Sequence, residues 1–194
     1  MIKHTPFIVV EGTDGSGKST LCDWISEEFD FVKLKSIGGM FSSVKNYFDI
    51  DKVSIEERFS FLCGESIFNS FKVKENKRNG NKIIFDRYYY STLVYCESLK
   101  PGVTEEFMYI FEKLPKPDLI LFVKTDFNTM CNRLKNRGSL TLIEEKYSIE
   151  ENYLKLINNY MKYFDSEVLV IDNTESLESS KEQIKQIFES FNIV

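Results

Sequence analysis

The chain has 194 residues, of which 42% are hydrophobic and 28% charged, and its formal net charge is −5. That is enough for one domain, residues 1–194, with a sizeable core, and the acidic balance without a basic block argues against a nucleic-acid partner. No apolar run approaches a membrane span, and Glu11 and Asp14 interrupt the first one, so neither a membrane partner nor a signal peptide is expected.

The first element is an apolar, β-branched run over 6–10, read as a buried strand. It runs into Gly12-Thr13-Asp14-Gly15-Ser16-Gly17-Lys18-Ser19-Thr20, and a helical pattern over 18–28 follows. G-x-x-x-x-G-K-S between a strand and a helix is the phosphate-binding loop pattern. Backbone N–H groups of the loop and the helix N-terminus cradle a polyphosphate. Lys18 then reaches the β- and γ-phosphates, and the Ser19 hydroxyl ligates Mg²⁺. The expected ATP contacts are Gly12, Asp14, Gly15, Ser16, Gly17, Lys18, Ser19 and Thr20. Glu11 and Asp14 flank the turn. Either suits a sugar hydroxyl, and Asp before Gly equally suits plain turn chemistry.

A second strand is expected over 31–35, helices over 41–48 and 55–77, a turn at Asn79-Gly80 and a third strand over 82–85. Asp86-Arg87-Tyr88 follows that strand directly. An acid there holds Mg²⁺ or takes a proton from an attacking hydroxyl. An arginine beside it grips a phosphate with its planar fork. By themselves the two also read as a helix cap and a surface ion pair. With a phosphate loop on the same rim, the functional reading is the better one.

Helices are expected over 89–99 and over 104–114, the latter starting at Thr104 after a turn at Pro101-Gly102. A fourth strand is expected over 119–124 and a helix over 128–136. Arg133 and Arg137, four apart, share a face there. Over the phosphate loop they would stabilise a transferring phosphoryl group. They equally suit a helix C-terminus ahead of Gly138. A helix over 143–164, a strand over 167–171 and a helix over 177–191 capped by Ser176 complete the pattern. Cys22, Cys63, Cys96 and Cys131 are far apart and His4 is the one histidine. No zinc site follows, and the cysteines read as reduced, mostly buried thiols of a cytoplasmic protein.

Alternating strands and helices predict an α/β fold, a parallel five-stranded sheet between helical layers, with ligands at the strands' carboxyl ends.

The runs EGTDGSGKST, DRYYYSTLVY and PDLILFVKTDFNTMCNRLKNRGSLTLIEEKY, in that order, resemble the thymidylate kinase family of phosphate-loop phosphotransferases. The resemblance implies ATP and Mg²⁺ as cofactors, a deoxynucleoside monophosphate acceptor, a three-layer fold with a small lid at about 137–147, and a homodimer. The candidate catalytic residues are then Lys18, Asp86 and Arg87, with Arg133 and Arg137 as the cations that remain where the family's usual arginine is missing, and Ser19 and Asp86 are the candidate metal ligands. The resemblance puts Tyr95 on the substrate side, and the expected acceptor residues are Glu11, Asp14, Lys35, Phe61, Arg87, Ser91 and Tyr95. The chain departs from the pattern in places. LKSIGGMFSS offers only Lys35 where an arginine is usual, and FLCGESIFNS has no arginine near Ser66, with Phe61 or Leu62 as the stacking face. Gly15 and Leu142 stand at the two usual sites of a catalytic arginine.

The leading expectation is therefore phosphorylation of a deoxynucleoside monophosphate, dTMP above all. A deoxynucleoside kinase, with Asp86 as the base, needs fewer arginines and is the alternative. A weakly active or non-catalytic nucleotide-binding module is the third.

Overall fold

The computed structural model describes residues 5–36 and 40–193, so His4 lies outside the described residues, as does part of the LKSIGGMFSS run. Five parallel strands form one sheet in the order β2-β3-β1-β4-β5. They are β1 (Phe7–Glu11), β2 (Val32–Lys35), β3 (Ile83–Asp86), β4 (Leu119–Lys124) and β5 (Val168–Asp172). The expected three-layer α/β architecture is the one observed. β1, β3 and most of β4 are buried, which explains their unbroken apolar runs, while β2 and β5 at the edges are partly exposed.

Side-chain alternation along β1 divides the core. Phe7 and Val9 join Phe85 and Ile120 on one face, against α3 (Ile55–Arg78) and α4 (Tyr89–Leu99). Ile8 and Val10 join Leu121 and Val123 on the other, against α1 (Lys18–Phe29) and α9 (Leu177–Ser190). Each large apolar side chain so buried contributes on the order of 2 kcal/mol. No helix among the described residues is long and apolar enough to cross a membrane.

Three expected helices differ. The segment 41–48 is α2 (Met40–Val44) followed by a 3₁₀ turn, Lys45–Phe48. The tighter turn accompanies a stacked pair, Phe48 on Phe61, with centroids 4.3 Å apart. The segment 104–114 opens as a 3₁₀ turn and becomes α5 (Met108–Glu112). The Thr104 hydroxyl does not cap it and donates instead to the Glu97 carboxylate. The expected helix over 143–164 is two. α7 (Leu142–Tyr147) starts at a capping box between Thr141 and Glu144 and ends where the Ser148 hydroxyl bonds the Glu144 carbonyl. Extended backbone at Ile149 then resets the chain for α8 (Glu150–Tyr163). The helix expected over 128–136 is α6 (Phe127–Asn136), capped by Asp126, and Ser176 caps α9 as expected.

Strands β1 and β3 run one residue further than the apolar pattern, through Glu11 and Asp86, because the ladder continues to Glu11↔Phe122 and Val10↔Asp86. Both acids therefore take their direction from the pleat. The phosphate loop leaves β1 beside the place where the chain crosses from β3 to β4, which is where ligands collect in such sheets.

Candidate active site

The phosphate loop takes its shape from three glycines in the left-handed region, Gly12 (φ 145°), Gly15 (φ 77°) and Gly17 (φ 92°). Lys18 is buried and folds back, its Nζ donating to the Thr13 carbonyl and to Ser16 Oγ at 3.3 Å. Burial, with repulsion from Arg87, lowers its pKa to about 7 in spite of the surrounding carboxylates. Contact with a polyphosphate restores the full charge. Nucleotide binding at about pH 8 is therefore expected to take up about one proton, and affinity to weaken as pH rises past 7. Calorimetry in two buffers of unlike ionisation heat reads this; equal heats in both would overturn it.

Ser19 Oγ donates to Asp86 Oδ2 at 2.7 Å. Asp86 neither caps α4 nor pairs with Arg87 among the described residues; its carboxylate faces the start of α1. A hydroxyl and a carboxylate beside a polyphosphate suit Mg²⁺, a hard cation that takes its other oxygens from water and substrate. Among the described residues no group of three or more acidic, cysteine or histidine side chains offers a complete metal cage.

Arg87 has a positive φ, 64°. That turn swings its guanidinium back over the loop. Nη2 pairs with Asp14 Oδ1 at 2.5 Å, and Nη1 donates to the Gly12 carbonyl, Ser91 Oγ and the Tyr160 hydroxyl. The Tyr95 hydroxyl donates to the other oxygen of Asp14 at 2.9 Å. Burial opposes the Asp14 charge, but Arg87, Lys18 and the Tyr95 bond outweigh it and hold the carboxyl below its usual range. Glu11 lies beneath this network, fully buried. It accepts from the Tyr88 and Ser91 N–H groups and from the Ser91 hydroxyl. Tyr88, the N-cap of α4, has no side-chain bond of its own, so Glu11 reaches from β1 to do the capping. Burial raises the Glu11 carboxyl, with Arg87 and these hydrogen bonds acting against it.

A cavity of about 300 Å³ opens beside the network. Asp14, Arg87, Ser91, Tyr95 and Phe61 line it, so five of the seven expected acceptor residues share one wall system. Glu11 lies behind that wall. Lys35 is exposed at the end of β2 and does not line the cavity. Lys45 of the 3₁₀ turn and Arg58 of α3 bring the further cations instead. Thr141, Ile143 and Glu144, from α7 and its N-cap, line it as well.

The two α6 arginines part company. Arg133 Nη2 donates to the Asn173 carbonyl at 2.9 Å, and its buried Nη1 has no partner among the described residues. Arg137 caps the far end of α6 and pairs with Glu144 of α7 at 2.8 Å. Asn173 is a residue the sequence did not single out. Its side-chain amide donates to the Ser16 carbonyl at 2.7 Å, and its side-chain oxygen accepts from Ser180 of α9. A Cβ on Gly17 would lie 2.3 Å from that amide nitrogen. Its only sequence signal is its place just past β5, on the same rim as the loop.

With this geometry in view, the comparisons with known proteins converge. The family model described as thymidylate kinase matches residues 10–184. The chain is 28% identical over 192 residues to a probable thymidylate kinase of Archaeoglobus fulgidus, covering 95% of each. It is 30% identical over 167 residues to a deoxyguanosine kinase of Bacillus subtilis, covering 80% of this chain and 76% of that one. It superposes on the solved thymidylate kinase of Candida albicans with a TM-score of 0.78 at 19% identity, covering 97% of this chain and 92% of that one. The deoxyadenosine kinase of M. mycoides with bound dATP gives 0.72 at 22%, covering 94% and 99%. At such identities these two structures speak for the fold.

Proposed function

The chain belongs to the thymidylate kinase family, and on that premise we propose that it moves the γ-phosphoryl group of ATP onto a deoxynucleoside monophosphate, dTMP above all, to give the diphosphate and ADP. One observation carries the reading: the phosphate loop and the Asp14–Arg87–Tyr95 network meet on a single rim, with an acceptor-sized cavity beside them.

In this reading the loop N–H groups and Lys18 hold the β- and γ-phosphates. Arg133 presents its unpartnered Nη1 from the α6 side. An oxygen of the acceptor phosphate attacks phosphorus in line, and the bond to the β-phosphate oxygen breaks as ADP leaves with the electron pair. The attacking phosphate is already ionised, so no base is needed. Arg87, held by Asp14, grips that phosphate, and Tyr95 and Asp14 face the sugar. Ser19 and Asp86 would hold Mg²⁺, which neutralises charge on the transferring group. The lid at 137–147, the homodimer and a cytoplasmic location belong to the same proposal.

A deoxynucleoside kinase is the second reading. Ser36, not an arginine, lines the cavity where β2 enters it, and the Bacillus subtilis relative is named a deoxyguanosine kinase. The test is ADP release from Mg²⁺–ATP over a panel of deoxynucleoside monophosphates and free deoxynucleosides. Turnover highest with dTMP is the expected result. Turnover with nucleosides alone would transfer the chain to the second reading.

A further inference from the structure

We propose that Asn173 is a positioning residue of the phosphate loop: it holds the Ser16 carbonyl and thereby turns the Gly17 N–H toward the β-phosphate of a bound nucleotide. This role rests on the reading of the loop as the polyphosphate site and goes beyond it, because Asn173 acts through the backbone of the loop.

Asn173 is anchored from three sides. It follows β5 directly and is buried. Its N–H donates to the Lys124 carbonyl at the end of β4, 2.8 Å away. Its own carbonyl accepts from Arg133 Nη2 of α6 at 2.9 Å, and its side-chain oxygen accepts from Ser180 Oγ of α9 at 2.9 Å. The side-chain nitrogen then donates to the Ser16 carbonyl at 2.7 Å. Chemistry fixes which way the amide lies, since a carbonyl only accepts and only the nitrogen can donate to it. The Lys124 bond continues the pairing of β5 with β4, so the place of this donor is set by the sheet and not by the loop.

The loop needs a hold at this place. Gly17 has a φ of 92°, and a residue without Cβ leaves the plane of the Ser16–Gly17 peptide free to turn. A side chain at position 17 could not lock it, because a Cβ there would lie 2.3 Å from the Asn173 nitrogen. The peptide is trans, and in a planar trans unit the N–H points opposite to the C=O. With its carbonyl held on the β5 side, the unit sends the Gly17 N–H to the other side. There it has no acceptor among the described residues. A donor so aimed at the start of α1 suits a phosphate oxygen. A turned plane would set the carbonyl oxygen against the phosphate instead. Arg133 binds the main chain of Asn173, so its anchor does not depend on the side chain at 173 and the two effects are separable.

The experiment reads the Gly17 amide directly. Ser16-Gly17 is the one Ser-Gly step in the chain. Full-length protein made by cell-free synthesis with carbonyl-¹³C serine and ¹⁵N glycine therefore gives a single carbonyl-coupled amide signal, that of Gly17. The probes are ADP with Mg²⁺, and AMP, which lacks the β-phosphate. In the native protein the Gly17 proton should move downfield on ADP binding, as an N–H donating to a phosphate oxygen does. Asn173→Ala removes the donor, and Asn173→Leu removes it while keeping the volume. In both, the downfield move should be lost and ADP affinity should fall about 10- to 100-fold, the range for a hydrogen bond to a charged group. AMP should bind both variants within about 3-fold of the native protein, because the groups it touches are not coupled to this bond. An equal loss for AMP would mean that Asn173 only supports the fold, and overturns the proposal, as do variants that keep the native ADP affinity. If Asn173→Ala does not fold, Asn173→Leu and the native signal decide. A native protein that binds ADP without moving the Gly17 signal overturns the role of Asn173 alone. A native protein that binds no ADP removes the polyphosphate reading of the loop, and this inference with it.

Discussion

Lys18→Ala is expected to lower ATP turnover by about 10³-fold or more with every acceptor. The ammonium is the one side-chain cation of the phosphate loop itself, and its Nζ is already directed into the loop through Thr13 and Ser16. Losing it removes charge that the transition state uses more than the ground state does, so kcat should fall further than KM for ATP rises. The fold should tolerate the change. Burying an ammonium costs stability, as the lowered pKa shows, so thermal unfolding of the variant should be unchanged or higher. A variant that folds and keeps its turnover would remove the phosphate loop from the mechanism.

Arg87→Ala is expected to be nearly as severe, by a different route. The acceptor KM should rise, and kcat/KM should fall by about 10²- to 10³-fold for a monophosphate and much less for a free nucleoside. Equal losses for the two acceptor classes would mean that Arg87 does not read the acceptor phosphate. Stability also suffers, because Asp14 loses its counter-ion. The pair is partly exposed, so the cost should be about 2 kcal/mol rather than the larger figure for a deeply buried pair. The sign with pH is fixed. Asp14 titrates below its ordinary 3.8 in the folded protein, so the stabilisation by Arg87 is present above that pH and lost as pH falls through the folded value. The stability gap between native and variant should therefore close in acid. Arg87→Gly gives a control, since glycine accepts the φ of 64° and removes only the side chain.

These two residues mark the limits of what could be read from order along the chain. Lys18 sits in a motif whose parts are all neighbours, and its direction follows from three glycines and a helix start. Arg87 was legible as a residue type after a strand, but its partner was not. The plain alternative paired it with Asp86, next in sequence; the ladder carries Asp86 through the end of β3 toward Ser19, and the turn at Arg87 sends the guanidinium to Asp14 instead. Glu11 looked like a loop residue and is the last residue of β1, where the pleat aims it at the start of α4. Lys35 looked like the replacement cation, but it stands exposed on an edge strand while Lys45 and Arg58 line the cavity.

The sequence by itself determined the alternating β/α order, the parallel sheet and the glycine-shaped loop between β1 and α1. Those depend on apolar periodicity and on backbone conformations that only glycine adopts without strain, both of which are local. The tertiary structure alone decided which charges meet. The cavity takes its lining from the phosphate loop, the 3₁₀ turn, α3, α4 and α7. The reach of Asn173 from β5 to Ser16, of Glu11 to α4 and of Arg58 into the cavity comes from the packing of elements far apart in the chain. Side-chain direction at such places is set by sheet register and helix rotation, and neither is written in the residues that carry the charge.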